Sequence, residues 1–400
     1  MSNKDGFETI PEAAKRLRQL LGDSSPGSPN FLLLYAYNGT GKTRLSMAFK
    51  DAGKKAKSER QSKKDDVPKD EANRDTLYFN AYTEDLFHWD NDLDHDSERV
   101  LQLNKESRFF NGVEELEMES RIRAFLSPLA DFDFFIDYNR WTVSFNREVQ
   151  DNNGVKTVEN IKVSRGEENI FIWCFFLAVV RLAIEGQEAY RWVKYIYIDD
   201  PISSLDDNNA IAVACQLAKL LTKENRQGDS YDNKTVQVKA VISSHHSLFF
   251  NVMFNELKKE GNKSYFLHYC THTNKYILCP TTDTPFFHHV AMLSELKSAA
   301  ESGQLYTHHF NALRSILEKT ASFFGFADFS KCISGFDDEV LYARAVNLLS
   351  HGSYSLYEPL EMAEDNKNLF RGVLKAFLTR YEFDFPKIFN ETLPLNQQQP

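Results

Sequence analysis

The sequence predicts an α/β protein followed by a smaller, mostly helical domain, and three observations carry the prediction. Short apolar runs bounded by turn residues alternate with helical periodicity through the first two-thirds of the chain. A glycine-rich turn, Gly39-Thr40-Gly41, follows the first strong apolar run. After about residue 265 strand-like runs give way to amphipathic helical patterns over 290–325, 338–350 and 367–381. The expected domains are therefore 1–265 and 266–400, and a chain of 400 residues is long enough for each to bury its own core.

Taken in order, residues 31–37 (FLLLYAY) read as a buried strand. Residues 51–75 mix charges of both signs and read as a solvated helix or a loose charged insertion, with a basic clamp for RNA as the alternative. Residues 76–83 (TLYFNAYT) suggest another strand, and 99–130 carry helical periodicity. Across 133–163 the alternation of Trp141-Thr142-Val143-Ser144-Phe145 and the turn Asp151-Asn152-Asn153-Gly154 predict a hairpin. A helix over 168–185, a strand over 195–198, a helix over 208–223 and a strand over 236–243 complete the alternating core.

Bulk properties narrow the classes. The amino terminus lacks the apolar run of a signal peptide, and the longest apolar stretch, Ile170 to Ile184, contains Arg181 and is too short to span a bilayer. The expectation is a cytoplasmic protein with no membrane partner. Five scattered cysteines with no C-x-x-C pair fit free thiols, and Cys270 and Cys279 beside His268 and His272 match no standard zinc spacing. A net charge of −10 argues against a surface coated for nucleic acid, but leaves room for a local cleft, because phosphate contacts act at short range.

The strongest chemistry sits at 36–43, AYNGTGKT, where Ala36 replaces the first glycine of the P-loop form. Backbone N–H groups of Asn38, Gly39, Thr40, Gly41, Lys42 and Thr43 would wrap phosphates at a helix start, with Lys42 reaching the β/γ-phosphates and the Thr43 hydroxyl on Mg²⁺. Tyr195-Ile196-Tyr197-Ile198-Asp199-Asp200 reads as a Walker B strand. There Asp199 would hold the Mg²⁺ shell and Asp200 would orient or deprotonate the attacking water, where ABC ATPases normally carry Glu. Ser203-Ser204-Leu205-Asp206 matches an ABC D-loop, and Ser243-Ser244-His245 places His245 as the γ-phosphate switch. Val163-Ser164-Arg165-Gly166-Glu167, before a helix, looks like a degenerate ABC signature. In ABC proteins Ser164 and Gly166 would cap the partner's nucleotide, which implies a head-to-tail homodimer or higher oligomer using ATP or GTP. No long heptad run lies between Thr43 and Ser164, which excludes the coiled-coil arms of chromosome-maintenance ATPases.

In the last third, Arg314 and Glu318 are four apart on one helix face, which by itself describes an ordinary ion pair. Arg344 and His351 lie two turns apart before Gly352, which by itself describes a helix-terminal histidine. Read without further context, the chain fits an ABC-type ATPase switch gating a separate effector, or a RecF-like DNA-repair ATPase.

The segments YAYNGTGKTRLS (35–46), NAYTEDLFHWDNDL (80–93), YIDDPISSLDDN (197–208), FNVMFNEL (250–257) and LRSILEKTASFFG (313–325) together resemble the PrrC anticodon nuclease family from about residue 31 to 380. The resemblance implies an ABC-type NTPase fused to a HEPN-like ribonuclease domain that cuts a tRNA, usually a lysine tRNA, beside the wobble base. It places the catalytic Arg, Glu and His on Arg314, Glu318 and His351, with Arg344 orienting His351 or sharing the phosphate. It further implies metal-independent transesterification, use of GTP, thymidine nucleotide binding, silencing by a type I restriction-modification complex, and a role in defence against phage. The aromatics and histidines of 286–310 are the expected RNA surface.

Overall fold

The computed structural model describes residues 5–23, 25, 27–58, 75–80, 83, 86–90, 99–110, 113–151, 154–201, 207–222, 238–270, 274–281, 288–333, 361–381 and 383. The chain divides into two compact units, Met1–Pro285 and Phe286–Pro400.

The first unit opens with β1 (Asp5–Phe7) and α1 (Ile10–Gly22), then β2 (Phe31–Tyr35), α2 (Lys42–Ser58) and β3 (Thr76–Phe79). Next come β4 (Phe87–Asp90), β5 (Val100–Leu103), α3 (Met118–Leu126), β6 (Phe132–Asp137), β7 (Thr142–Asp151) and β8 (Gly154–Val158). It closes with α4 (Arg165–Ile184), β9 (Tyr195–Asp199), α5 (Asp207–Leu221), β10 (Lys239–Ser244), α6 (Ser247–Glu256), β11 (Asn262–Cys270) and β12 (Lys275–Pro280).

Seven strands form one sheet in the order β1-β12-β11-β2-β10-β9-β3, parallel from β11 to β3 and antiparallel at the β1–β12–β11 edge. β2 is buried along its whole length, as a central parallel strand covered on both faces must be. Because β11 and β12 complete this sheet, the first unit runs to Pro285 and not to the expected 265. α1 starts at Thr9, where the Glu12 carboxylate reaches back to the Thr9 N–H at 3.3 Å. It buries Ile10, Ala13, Ala14, Leu17 and Leu21 on one face, at helical spacing.

The second sheet is antiparallel, β4-β5-β7-β6 with β8 on β7. In β6 Phe132, Phe134 and Ile136 are buried while Asp133 and Phe135 face out, the alternation expected of a sheet covered on one side. β5 and short 3₁₀ turns at 108–110 and 113–115 occupy much of 99–130, so helix is confined there to α3. α4 joins the two sheets. It is apolar on all sides: Phe79 of β3 meets Trp173 and Phe176, while Phe87, Phe134 and Phe145 of the second sheet meet Phe171 or Phe175. Each such ring, fully buried, stabilises by roughly 2–3 kcal/mol. That role accounts for the long apolar run, and no helix among the described residues is long and apolar enough to cross a membrane.

The second unit contains α7 (His288–Ser302), α8 (His308–Phe324) and α9 (Glu364–Arg380) around a core that includes Leu293, Leu305, Phe310, Leu313, Leu317, Phe370, Val373 and Phe377. The helical pattern over 290–325 is two helices, broken at Gly303, whose φ of 76° suits only glycine well. Beyond the break the Met362 N–H donates to the Leu305 carbonyl at 2.8 Å, tying the head of α9 to the α7–α8 turn. The helical pattern over 338–350 and most of the charged segment 51–75 lie outside the described residues; 51–58 continue α2.

Candidate nucleotide site and ribonuclease helix

The loop between β2 and α2 is shaped by its glycines. Gly39 and Gly41 have φ of 82° and 93°, and a Cβ on Gly41 would sit 2.9 Å from Ile10 Cδ1. The Thr40 hydroxyl donates to the Tyr37 carbonyl at 2.7 Å, closing the turn. Ala36, in place of a glycine, needs no unusual backbone: it is fully buried in the core with Leu34 and Leu45. The loop thus delivers the free N–H groups of the α2 start, the feature that binds anions.

Lys42 is buried, and its ammonium donates to the Ala36 and Tyr37 carbonyls at 3.1 and 3.3 Å and to Asn38 Oδ1 at 3.4 Å. It also pairs with Asp200 Oδ2 at 3.2 Å. The other Asp200 oxygen accepts from the His245 N–H at 2.9 Å and lies 2.8 Å from His245 Nδ1. Asp200 adopts a left-handed φ of 46°, a conformation that Asp tolerates better than most residues, and its N–H donates to the Ser243 carbonyl at 2.9 Å. Burial alone would raise the Asp200 carboxyl, but the His245 hydrogen bonds and the Lys42 charge outweigh it and hold the group below the usual carboxylate range.

Asp199 is 1% exposed, and burial pushes its carboxyl up against hydrogen bonds from Ser243 and Thr43. Ser243 Oγ donates to Asp199 Oδ1 at 2.6 Å, a contact set by the parallel register that puts Ser243 opposite Asp199. Ser46, one turn beyond Lys42, donates to Asp199 Oδ2 at 3.4 Å and shares a 2.7 Å hydrogen bond with the Tyr78 hydroxyl. Thr43 and Asp199 together offer a hydroxyl and a carboxylate, hard oxygen donors of the kind that hold Mg²⁺.

Ser164 caps α4. Its hydroxyl accepts from the Glu167 N–H at 3.3 Å, and the Glu167 carboxylate accepts from the Ser164 N–H at 2.7 Å. A Cβ on Gly166 would meet no heavy atom within 4 Å, so packing inside the chain does not explain a glycine there. Sequence reasoning missed Glu168: it is 3% exposed, accepts from Trp89 Nε1 at 3.0 Å and pairs with Arg165 at 3.0 Å. Trp89 in turn lies 5.5 Å from the Lys162 ammonium. The D-loop residues Ser203–Asp206 lie outside the described residues.

In the second unit Arg314 Nε donates to Glu318 Oε1 at 2.7 Å on α8, and the Arg314 guanidinium lies 5.6 Å from the Phe329 ring centroid. Arg314 is largely covered, whereas the Glu318 side chain is half exposed. Arg344 and His351 lie outside the described residues. Two residues of the expected RNA surface are internal instead. His309 is buried, accepts the Tyr306 N–H on Nδ1 at 3.0 Å and packs on Phe370, and Phe310 belongs to the core. Their positions are those of the α8 core face, so helical packing claims them. The side chains of His288, His289 and His308 lie outside the described residues.

Residues 146–379, more than half of the chain, match a family described as an AAA domain. A solved structure described as an SmcHead bound to the C-winged helix domain of ScpA aligns with 62% of this chain and 89% of its own, at 12% identity and a TM-score of 0.32. A protein of Escherichia coli described as an anticodon nuclease is 30% identical over 366 residues, which are 87% of this chain and 88% of that protein. This chain belongs to the anticodon nuclease family, and its first unit is an ABC-type NTPase domain.

Proposed function

We propose that the chain is an NTP-regulated endoribonuclease that cuts a tRNA inside its anticodon loop, with lysine tRNA as the substrate and phage defence as the setting. The observation that carries the reading is the Arg314–Glu318 pair, held at 2.7 Å on a helix of the unit that does not contain the P-loop, in a chain 30% identical to an anticodon nuclease.

The chemistry follows from the residue types. A base, His351 or Glu318, takes the proton of a ribose 2′-OH, and the oxygen attacks the adjacent phosphorus. The bond from phosphorus to the 5′ oxygen breaks, and the other member of the pair protonates the leaving oxygen. The products are a 2′,3′-cyclic phosphate and a 5′-OH end. Arg314 neutralises charge on the phosphoryl oxygens, and Arg344 orients His351 or shares that phosphate. This route needs no metal at the cleavage site.

In the first unit Asn38 to Thr43 would hold the phosphates of ATP or GTP, Thr43 and Asp199 would hold Mg²⁺, and His245, bonded to Asp200, would read the γ-phosphate. Mg²⁺ supplies charge neutralisation at the phosphates when bound. Ser164 and Gly166 face the nucleotide of a second copy in a head-to-tail homodimer, and the open space at the Gly166 Cα supports that assignment. The protein is cytoplasmic and is held silent by a type I restriction-modification complex.

Mapping RNA ends after expression of the wild type and of His351→Ala tests the reading. Anticodon-loop ends bearing 2′,3′-cyclic phosphate should appear with the wild type alone, and activated cleavage should persist in EDTA. Ends bearing 5′-phosphate would refute it.

A further inference from the structure

α8 carries more than the Arg314–Glu318 pair. Its last turn reads Ser322-Phe323-Phe324-Gly325, and both phenylalanines point away from the core that Phe310, Leu313, Leu317 and Ala321 build on the same helix. Phe323 is 84% exposed, the most exposed large apolar side chain among the described residues, and Phe324 is 50% exposed. Single apolar residues on a surface need no explanation. These are not single. The Phe324 ring lies nearly parallel to Phe326, centroids 5.7 Å apart at 19°, and to Tyr381, 5.4 Å apart at 27°. Phe323 meets Phe324 edge-on at 5.3 Å. The Arg380 guanidinium lies 5.8 Å from the Tyr381 ring centroid. The result is an aromatic ledge with a cation at its side, assembled from the end of α8 and the end of α9.

Aromatic faces with an adjacent guanidinium are the means by which proteins hold bases that are not in a duplex. An amphipathic membrane-surface helix would instead carry a basic face along its length, whereas α8 presents Glu318 and Lys319 side by side. We propose that Phe323, Phe324, Tyr381 and Arg380 form a stacking ledge for unpaired bases of the RNA substrate, an inference that rests on the ribonuclease reading of α8. Phe324 lies six residues beyond Glu318, about 9 Å along the helix axis. At 3.6 residues per turn Phe323 and Phe324 also lie about 120–140° around the helix from Glu318, so the ledge grips bases that flank the cut and not the scissile nucleotide itself. Stacking tolerates any base, so the ledge distinguishes an open loop from a paired stem and does not read base identity.

The test uses the full chain, a tRNA concentration series under single-turnover conditions, and an anticodon stem-loop carrying 2-aminopurine in the loop, whose fluorescence is quenched on stacking. Phe323→Ala should raise the half-saturating RNA concentration roughly five- to a hundred-fold, leave the saturating rate within a small factor, and abolish the quenching. Phe323→Trp should restore both. Because Phe323 is so exposed, Phe323→Ala should melt at the wild-type temperature. Wild-type half-saturation and quenching from Phe323→Ala would overturn the ledge while leaving the nuclease reading intact. Altered self-association of Phe323→Ala with unchanged RNA binding would also overturn it, marking the surface as a contact between copies. A wild-type protein that quenches the loop without cutting would uphold the ledge and sink the nuclease reading.

Discussion

The two units hold their polar groups in opposite ways. In the first, Lys42, Asp199, Asp200, Ser243 and His245 come from α2, from β9 and β10 and from the residue after each strand, and the parallel register of β9 with β10 brings them together. Each carboxylate has at least two partners, and the ammonium is enclosed. In the second, Arg314 and Glu318 lie one turn apart on α8 with the carboxylate half exposed. An exposed i,i+4 pair contributes only about 0.3–0.5 kcal/mol, so the Glu318 end of the pair adds little to stability. The difference teaches that the candidate nucleotide site is held by several elements of the fold, whereas the Arg314–Glu318 pair is set by one helix turn and the Phe329 ring. Substitutions should therefore damage the first through structure and binding, and the second through chemistry.

The largest expected effect belongs to the second unit. Arg314→Ala or Glu318→Ala should each lower tRNA cleavage about 10²- to 10⁴-fold with unchanged NTP binding, and Glu318→Ala should do so with an unchanged melting temperature. Radiolabelled tRNA on a denaturing gel, run beside a thermal melt, checks both halves. A variant that loses cleavage only because it unfolds would erase the contrast between the units.

Lys42→Ala comes next. It removes a charge-assisted contact and leaves the partly covered Asp200 with His245 as its remaining partner. NTP binding should weaken roughly ten- to a hundred-fold, read by equilibrium titration of a fluorescent NTP, and the melting temperature should fall as well. A protein as stable as the wild type would show that the Lys42–Asp200 pair is not part of the fold's support.

How much of this was legible in the sequence follows the same division. The P-loop, β9 and β10 could be read because each is a short local pattern with its own chemistry, and α4 because its apolar run is long. α1 carries a local signal too, Thr9 and Glu12 around Pro11 with apolar residues at helical spacing. β4 and β5, of four residues each, are too short for periodicity to show. The boundary expected at 265 cuts through β11 and leaves β12 beyond it, because nothing local reveals that β11 pairs with β2 and β12 with β11. Glu168 was invisible for a similar reason: its partner Trp89 lies 79 residues away. His309 shows the converse, since one sequence does not tell a core histidine from a surface one.

Two smaller effects sharpen the comparison. Trp89→Phe keeps an aromatic side chain but trims the indole to a phenyl, and it removes the hydrogen bond to buried Glu168, which retains Arg165. Stability should drop by about 1–2 kcal/mol in a denaturant titration; no loss would mean that Glu168 finds water or another donor. Ser164→Ala should cost about 1 kcal/mol as a lost helix cap, whereas Ser164→Asp keeps a capping side chain. If Ser164 also faces nucleotide, both variants should slow NTP hydrolysis although only the first is destabilised. Hydrolysis that tracks stability alone would reduce Ser164 to a cap.

The most direct test of two separable chemistries is to measure NTP hydrolysis and tRNA cleavage side by side on Glu318→Ala and Lys42→Ala, each as the full chain. The account predicts that Glu318→Ala hydrolyses NTP at the wild-type rate without cutting tRNA, while Lys42→Ala loses hydrolysis and, with it, the nucleotide-dependent cut. Loss of hydrolysis in Glu318→Ala, or full nucleotide-free cleavage by Lys42→Ala, would contradict it.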